Sequence, residues 1–392
     1  MEIESYWYLL LIPLFFALGW LAARVDIHHV VRQSRELPRS YFQGLNFLLN
    51  EQPDKAIDAF LAVAQNDTVE LNFALGGLFR RRGETERAIR MHQSLIERED
   101  LGREVNLQAL FELGQDYLKA GLLDRSEAVF VKLRDSSLRE EAERQLLEIY
   151  QIEKEWEKAI QIAGESTDPY ADKIIAQFHC EIAERELSRS NFAAATTSLE
   201  NARSVHRPCV RASILAGEVA ARQNAPEEAI VIWRDIERQN PAYLALVAQR
   251  LLETSRQLGR QEEALAELRA WLENYPSLDL LDSVYQLELA AHGNEAAFRL
   301  VRAELKRNPT LLGLEKLIDA RLPLVTEPER RDDLTLSRAI LQSYTNRLAR
   351  YCCEQCGFRA RQFYWRCPAC GGWETYPPRR AEESDVVKRH VS

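Results

Sequence analysis

The chain has 392 residues, and at about 150 residues per domain that length predicts two or three domains. Hydrophobic residues make up 46% and charged residues 28%, while 16 Gly and 14 Pro exclude a collagen, a Gly/Ser linker protein or a largely disordered chain. A net charge of −9 argues against a molecule that holds nucleic acid along its whole length, and seven cysteines are too few for a disulfide scaffold of this size. Five of the seven fall between positions 352 and 370, and this clustering matters more than the number.

Residues 6–23, YWYLLLIPLFFALGWLAA, carry no charge. At ~1.5 Å per residue these 18 residues span ~27 Å as a helix, enough for a bilayer core. Trp7, Tyr8 and Trp20 lie near its ends, where amphipathic rings favour the interface. A cleaved signal peptide would need a basic leader and a small-residue cleavage site, but Glu2 and Glu4 precede the span and Arg24 follows it. The segment is apolar all round, so it reads as a retained anchor over 1–24, with 25–36 as a juxtamembrane linker. Arg24, Arg32, Arg35 and Arg39 all follow the span, which predicts an outside N-terminus and the bulk of the chain in the cytoplasm.

From 37 to 310 the chain reads as helix after helix with a period near 34. A small residue recurs at Ala56, Ala88, Ser126, Ala159, Ala195, Ala229, Ala264 and Ala297, in steps of 32 to 38 residues. Twelve positions earlier stand Gly44, Gly76, Gly114, Ala183 and Gly217, where two helices cross closely, with Leu147, Leu252 and Tyr285 in the other repeats. Four positions later come mostly apolar fillers, among them Phe60, His92, Phe130, Trp233 and Leu268. Pro241, Pro276 and Pro309 close their repeats. This pattern resembles the tetratricopeptide family and implies about eight stacked helix pairs whose first helices line one face. Arg80, Arg81, Gln115, Lys119, Arg222, Glu253 and Arg256 are the candidate partner-binding residues on that face, although each also reads as an ordinary solvated position. Residues 311–350 are less regular: Pro323 and Pro328 break the chain, and 332–351 reads as one amphipathic helix capping the repeats.

The segment 351–378 carries two C-x2-C turns, Cys353/Cys356 and Cys367/Cys370, ten residues apart. Four thiolates in a tetrahedron suit zinc or a single iron, and four closed ligands leave no position for a hydrolytic water. Gly357 and Gly371 follow each pair, where a knuckle needs positive φ. A register through Cys352 is conceivable, but Cys353 makes the two knuckles equivalent. Cys180 and Cys209 read as small core residues inside repeat helices. The knuckles resemble those of rubredoxin with a shorter intervening loop. Seven of the 28 residues are aromatic, so the ribbon is expected to dock on the repeats; the alternative is that Phe363, Tyr364, Trp365 and Trp373 are held open for a partner. Residues 379–392 form a charged tail.

The sequence contains no phosphate-binding loop, dinucleotide fingerprint, HExxH or GxSxG, which predicts a non-enzyme. The fold expected is an all-α tetratricopeptide-repeat solenoid with an N-terminal transmembrane helix and a small C-terminal rubredoxin-type metal ribbon. The order of anchor, repeats and ribbon resembles the lipopolysaccharide assembly protein B family of Gram-negative bacteria. The residues that carry the resemblance are the apolar span with Arg24, the repeat run, Tyr351-x-Cys353-x2-Cys356-Gly357-Phe358, Tyr364-Trp365-x-Cys367-Pro368-x-Cys370 and Trp373. The resemblance implies a single-pass inner-membrane adaptor that promotes degradation of the committed lipid A deacetylase by the membrane AAA+ protease FtsH, opposed by an inner-membrane lipopolysaccharide-sensing regulator. It also implies that Cys353, Cys356, Cys367 and Cys370 hold one iron or zinc ion. Two other classes compete. One is a nucleic-acid-binding ribbon, since nine Lys/Arg against five Asp/Glu over 347–392 give a local +4, with the remaining chain at −13 opposing it. The other is an iron redox module.

Overall fold

The structure, a computed structural model, describes residues 52–61, 69–166, 168–348 and 351–383, with positions 43, 44, 46, 47 and 50 before them. The expected anchor, its linker and the end of the charged tail lie outside the described residues. Among those that are described, no helix is long and apolar enough to cross a membrane. The chain divides into two compact units, residues 1–153 and 154–392.

The first unit contains α1 (Pro53–Leu61), α2 (Val69–Arg82), α3 (Thr85–Ile96), α4 (Arg103–Lys119), α5 (Leu123–Leu133) and α6 (Arg139–Glu153). The second contains α7 (Trp156–Gly164), α8 (Ala171–Ser188), α9 (Phe192–Val205), α10 (Val210–Arg222), α11 (Pro226–Arg234) and α12 (Ile236–Gln239). A 3-10 turn (Pro241–Tyr243) leads into α13 (Ala245–Gln257), α14 (Gln261–Asn274), α15 (Leu278–His292), α16 (Asn294–Arg307) and α17 (Leu311–Arg321). A second 3-10 turn (Leu322–Leu324) precedes α18 (Pro328–Leu348), and the short strands β1 (Tyr351–Cys352) and β2 (Arg359–Ala360) follow.

The recurring small residue is the centre of each helix pair. Ala56, Ala88, Ser126, Ala159, Ala195, Ala229 and Ala297 are all 0% exposed. Ser126 keeps its polar group satisfied by donating its hydroxyl to the Gly114 carbonyl at 2.8 Å. The glycine twelve positions earlier is matched to the bulky residue four positions later. A Cβ on Gly76 would lie 2.4 Å from the His92 ring, one on Gly114 2.7 Å from Phe130, and one on Gly217 2.2 Å from Trp233. In the fourth repeat the sequence exchanges the sizes, with Leu147 in the glycine position and Ala163 in the bulky one.

The turn between paired helices is equally regular. Gly83, Gly121, Lys154, Ser190, Asn224 and Gly259 each stand five residues before the buried small residue, all at φ between 58° and 86°. One left-handed residue ends a helix, and the next residue's N–H reaches back to a carbonyl of the last turn. The Glu84, Leu122, Asn191, Ala225 and Arg260 amides make that bond, each at 2.9 Å.

Two expectations need correction. The last helix starts at Pro328, not at 332, its described residues run to Leu348, and Tyr351, expected as its last residue, lies in β1. Proline fits the first helical position because its missing N–H has no intrahelical role there, so Pro328 opens the helix and does not break the chain. Cys209 is not inside a helix either; it is the residue that precedes α10.

Candidate metal centre

The ribbon is built on two matching knuckles. The Gly357 N–H donates to Cys353 O at 3.0 Å, and the Gly371 N–H to Cys367 O at 2.9 Å. Both glycines lie at positive φ, 75° and 72°. β1 and β2 pair antiparallel, with Tyr351 opposite Ala360. Tyr376 is 0% exposed and ties the ribbon together: its hydroxyl accepts from Ala360 N at 2.8 Å and donates to Tyr351 O at 3.1 Å.

The sulfurs of Cys353, Cys356, Cys367 and Cys370 all lie within 4.8 Å of one another. Two of the sulfur pairs are 3.8 Å and 3.7 Å apart, Cys353 with Cys370 and Cys356 with Cys367. A tetrahedron with metal–sulfur bonds of ~2.3 Å has edges of ~3.8 Å, so the cage fits one zinc or iron ion. Cys352 stays outside it, its thiol directed to the carbonyls of Cys353 and Gly357. Burial works to raise the Cys353 thiol, but its hydrogen bonds with the Thr375 hydroxyl and the Cys356 and Gln355 N–H groups outweigh it, lowering that thiol to about 6. A thiolate is the ligand form, so these groups prepare Cys353 for a cation, whereas Cys356 and Cys370 are shifted up, against the Phe358 and Gly372 N–H groups, by burial and by the neighbouring thiols.

The ribbon does not hang free; it docks on helices of the second unit. Trp373 meets Trp156 and Phe178 edge-on, with ring centroids 6.3 Å and 5.9 Å away. Trp365 stacks on Tyr243 at 5.3 Å with 2° between the planes, and Phe363 meets the same ring edge-on. The Arg211 guanidinium, 3% exposed, lies 5.7 Å from the Trp365 ring and 5.8 Å from Trp373. Its charge is met by Glu181 and Glu184 at 2.7 Å and 2.9 Å.

Polar contacts frame these rings. Glu374 accepts from Gln177 Nε2 at 2.5 Å and pairs with Lys173 at 2.8 Å. Asp279 accepts from the Tyr351 hydroxyl at 2.5 Å and from Arg380 Nε at 2.8 Å. Beyond the ribbon, Glu383 accepts from Leu278 N at 2.7 Å, while Glu382 accepts from Leu311 N at 2.5 Å and Leu312 N at 3.0 Å. The two carboxylates therefore cap the N-termini of α15 and α17, where free amides and the helix dipole favour negative charge. Burial nevertheless pushes the Glu383 carboxyl above its ordinary value, against the two amides that it accepts from.

The candidate partner-binding residues separate into four groups. Arg80 is spent inside the first unit, paired with Glu112 at 2.6 Å and Asp116 at 2.8 Å, and Asp116 also accepts from His92 Nδ1 at 2.5 Å. Arg81, Lys119, Glu253 and Arg256 are exposed and Gln115 is half-buried. Arg222, Phe363 and Trp365 are brought together at a cavity of about 360 Å³ that Leu187, Leu246 and Arg250 also line. Three first helices, α8, α10 and α13, thus share one recess with the ribbon. Tyr364 faces inward to Tyr376, and Trp373 is taken up by the docking. Sequence reasoning missed Gln177, Arg211, Tyr243, Asp279, Glu382 and Glu383, whose partners are remote in the chain.

The rubredoxin metal binding domain family matches residues 351–378. The tetratricopeptide repeat family matches residues 180–243. Lipopolysaccharide assembly protein B of Escherichia coli K12 is 35% identical over 378 residues, covering 95% of this chain and 97% of that protein. The Haemophilus influenzae protein of the same name is 30% identical over 390 residues, covering 94% and 97%. At 35% and 30% identity over nearly the full length of both relatives, the chain belongs to the lipopolysaccharide assembly protein B family.

Proposed function

We propose that this protein is a non-enzymatic inner-membrane adaptor that controls lipopolysaccharide synthesis by delivering the committed lipid A deacetylase to the FtsH protease. The observation that carries the reading is similarity over nearly the full length to proteins named for lipopolysaccharide assembly. The physical design suits an adaptor. Stacked helix pairs leave one helix face of each pair for a partner, and the recess beside Arg222, Arg250 and Trp365 offers cations next to apolar surface. The metal holds a ribbon too small to fold on its own core, and the ribbon walls that recess. An anchor over residues 1–24 holds adaptor and protease in one membrane and raises their effective concentration. The sensing regulator acts against this delivery, and no nucleic acid is involved.

The test follows deacetylase half-life in cells that lack the protein and carry either the full chain, a chain without residues 1–24, or Cys370→Ser. The full chain should shorten the half-life, and both variants should do so poorly at native expression. A membrane-intact pull-down should bring down protease and deacetylase together. A deacetylase half-life that ignores the presence of the full chain defeats the proposal.

A further inference from the structure

Cys180, on α8, and Cys209, which precedes α10, are both 0% exposed, and their sulfurs are in contact at 3.8 Å. They are 29 residues apart in the chain, and nothing in the repeat pattern requires cysteine at either position. Their surroundings are asymmetric. The hydrogen bond from Cys180 lowers the Cys209 thiol against the opposing effect of burial, assisted by the Ala212 N–H and Arg211. Burial pushes Cys180 well up. Cys209 also sits at the N-terminus of the 13-residue helix α10, where the dipole favours a thiolate. One sulfur prepared as a nucleophile beside a second held as a thiol is the arrangement of a reactive dithiol.

The ribbon reaches this pair through the Gln177 side chain. Gln177 Nε2 donates to Cys209 Sγ at 3.7 Å and, with its other hydrogen, to Glu374 Oε1 at 2.5 Å. A single amide thus separates the dithiol from the ribbon residue next to Trp373, and the Glu374 charge works against the Cys209 thiolate.

We propose that Cys180 and Cys209 form a reversible disulfide site shielded by the docked ribbon, so that release of the ribbon opens the pair to oxidation. The oxidant is a small-molecule disulfide of the glutathione class. Cys209 thiolate attacks one of its sulfurs, the oxidant's S–S bond breaks, and one small thiolate leaves. Cys180 then loses its proton and attacks the Cys209 sulfur, expelling the second small thiolate. Two cysteine thiols are oxidised, one small disulfide is reduced to two thiols, and the protons pass to these. Closure brings the sulfurs from 3.8 Å to about 2.05 Å.

The experiment incubates the zinc-loaded full chain, the same chain after chelation, and zinc-loaded Trp373→Ala with glutathione disulfide. Free thiols are alkylated at intervals, and the peptide linking positions 180 and 209 is quantified by mass spectrometry. That peptide should form about tenfold faster or more after chelation and in Trp373→Ala than in the zinc-loaded parent, and dithiothreitol should reverse it. Trp373→Ala keeps all four ligands, which separates ribbon release from reactions of the freed ribbon thiols. Cys180→Ser should stop at a glutathione adduct on Cys209. No linked peptide under any condition, equal rates with the ribbon docked and released, or adducts on Cys209 in the chelated parent that never close would each overturn the proposal.

Discussion

Docking of the ribbon can be broken at one side chain without touching the metal. Trp373 is not a ligand, yet it makes two edge contacts, with Trp156 and Phe178, and lies under the Arg211 guanidinium. Each aromatic pair contributes about 0.5–1.5 kcal/mol beyond area burial, and the cation adds about 0.5–1 kcal/mol. Trp373→Ala therefore weakens docking by at least about 1.5–4 kcal/mol, roughly tenfold to several hundredfold in the equilibrium between docked and released ribbon. Amide hydrogen exchange reads this directly. In Trp373→Ala, amides of Trp156–Gly164 and of the first half of Ala171–Ser188 should lose protection, while the ribbon's own amides and one bound metal per chain are kept. Chelation should remove both sets. If the protection of these two helices is the same in Trp373→Ala as in the parent, the packing of Trp373 is not what holds the ribbon and the reasoning fails.

Cys370→Ser should release the metal, since it removes one of four ligands, whereas Cys352→Ser should retain it; metal analysis of both purified variants checks the register. Gly217→Ala should destabilise the second unit by about 1–2 kcal/mol, because overpacking against the Trp233 ring outweighs a helix-propensity gain of about 1 kcal/mol. Gly77→Ala has nothing within 4 Å of its new Cβ and should gain about 0.5–1 kcal/mol, so denaturant titration of the two variants should move in opposite directions. Asp116→Ala leaves Arg80 and the buried His92 without their shared carboxylate and should cost about 3–5 kcal/mol, which thermal unfolding would register as a large drop in Tm.

The repeat was legible because its determinants are local. A buried small residue, a glycine twelve positions before it and a bulky ring four positions after it describe one helix crossing, and Gly76 with His92, Gly114 with Phe130 and Gly217 with Trp233 make that crossing in space. The cage was legible for the same reason, since two five-residue knuckles ending in Gly357 and Gly371 carry their geometry with them. The docking partners were not legible. Gln177 and Glu374 are 197 positions apart, and Arg380 and Asp279 are 101 apart. No periodicity links such pairs, and each residue alone reads as an ordinary polar residue on a solvated surface. The aromatic excess of the ribbon signalled that a surface would cover it, but not that Tyr243 and Phe178 supply it. Nor did the sequence signal that Cys180 and Cys209 meet, because each reads alone as a small apolar core residue and 29 positions separate them.

The placement of the ribbon gives its metal a reach beyond its own 28 residues. The ligands fold the knuckles, the knuckles fix Trp365 and Trp373, and these rings hold Tyr243, Trp156, Phe178 and Arg211. The chain that leaves the ribbon then supplies Arg380 to Asp279, Glu383 to the start of α15 and Glu382 to the start of α17. A free ribbon would leave those helix starts with uncapped amides, each a loss of about 0.5–2 kcal/mol. Metal binding is folding energy for so small a ribbon, and these contacts pass part of that energy to helices that begin near residues 156, 171, 210, 278 and 311. The metal therefore works as a clasp on the second unit, and the recess at Arg222 and Arg250 keeps its Trp365 wall only while the clasp is closed.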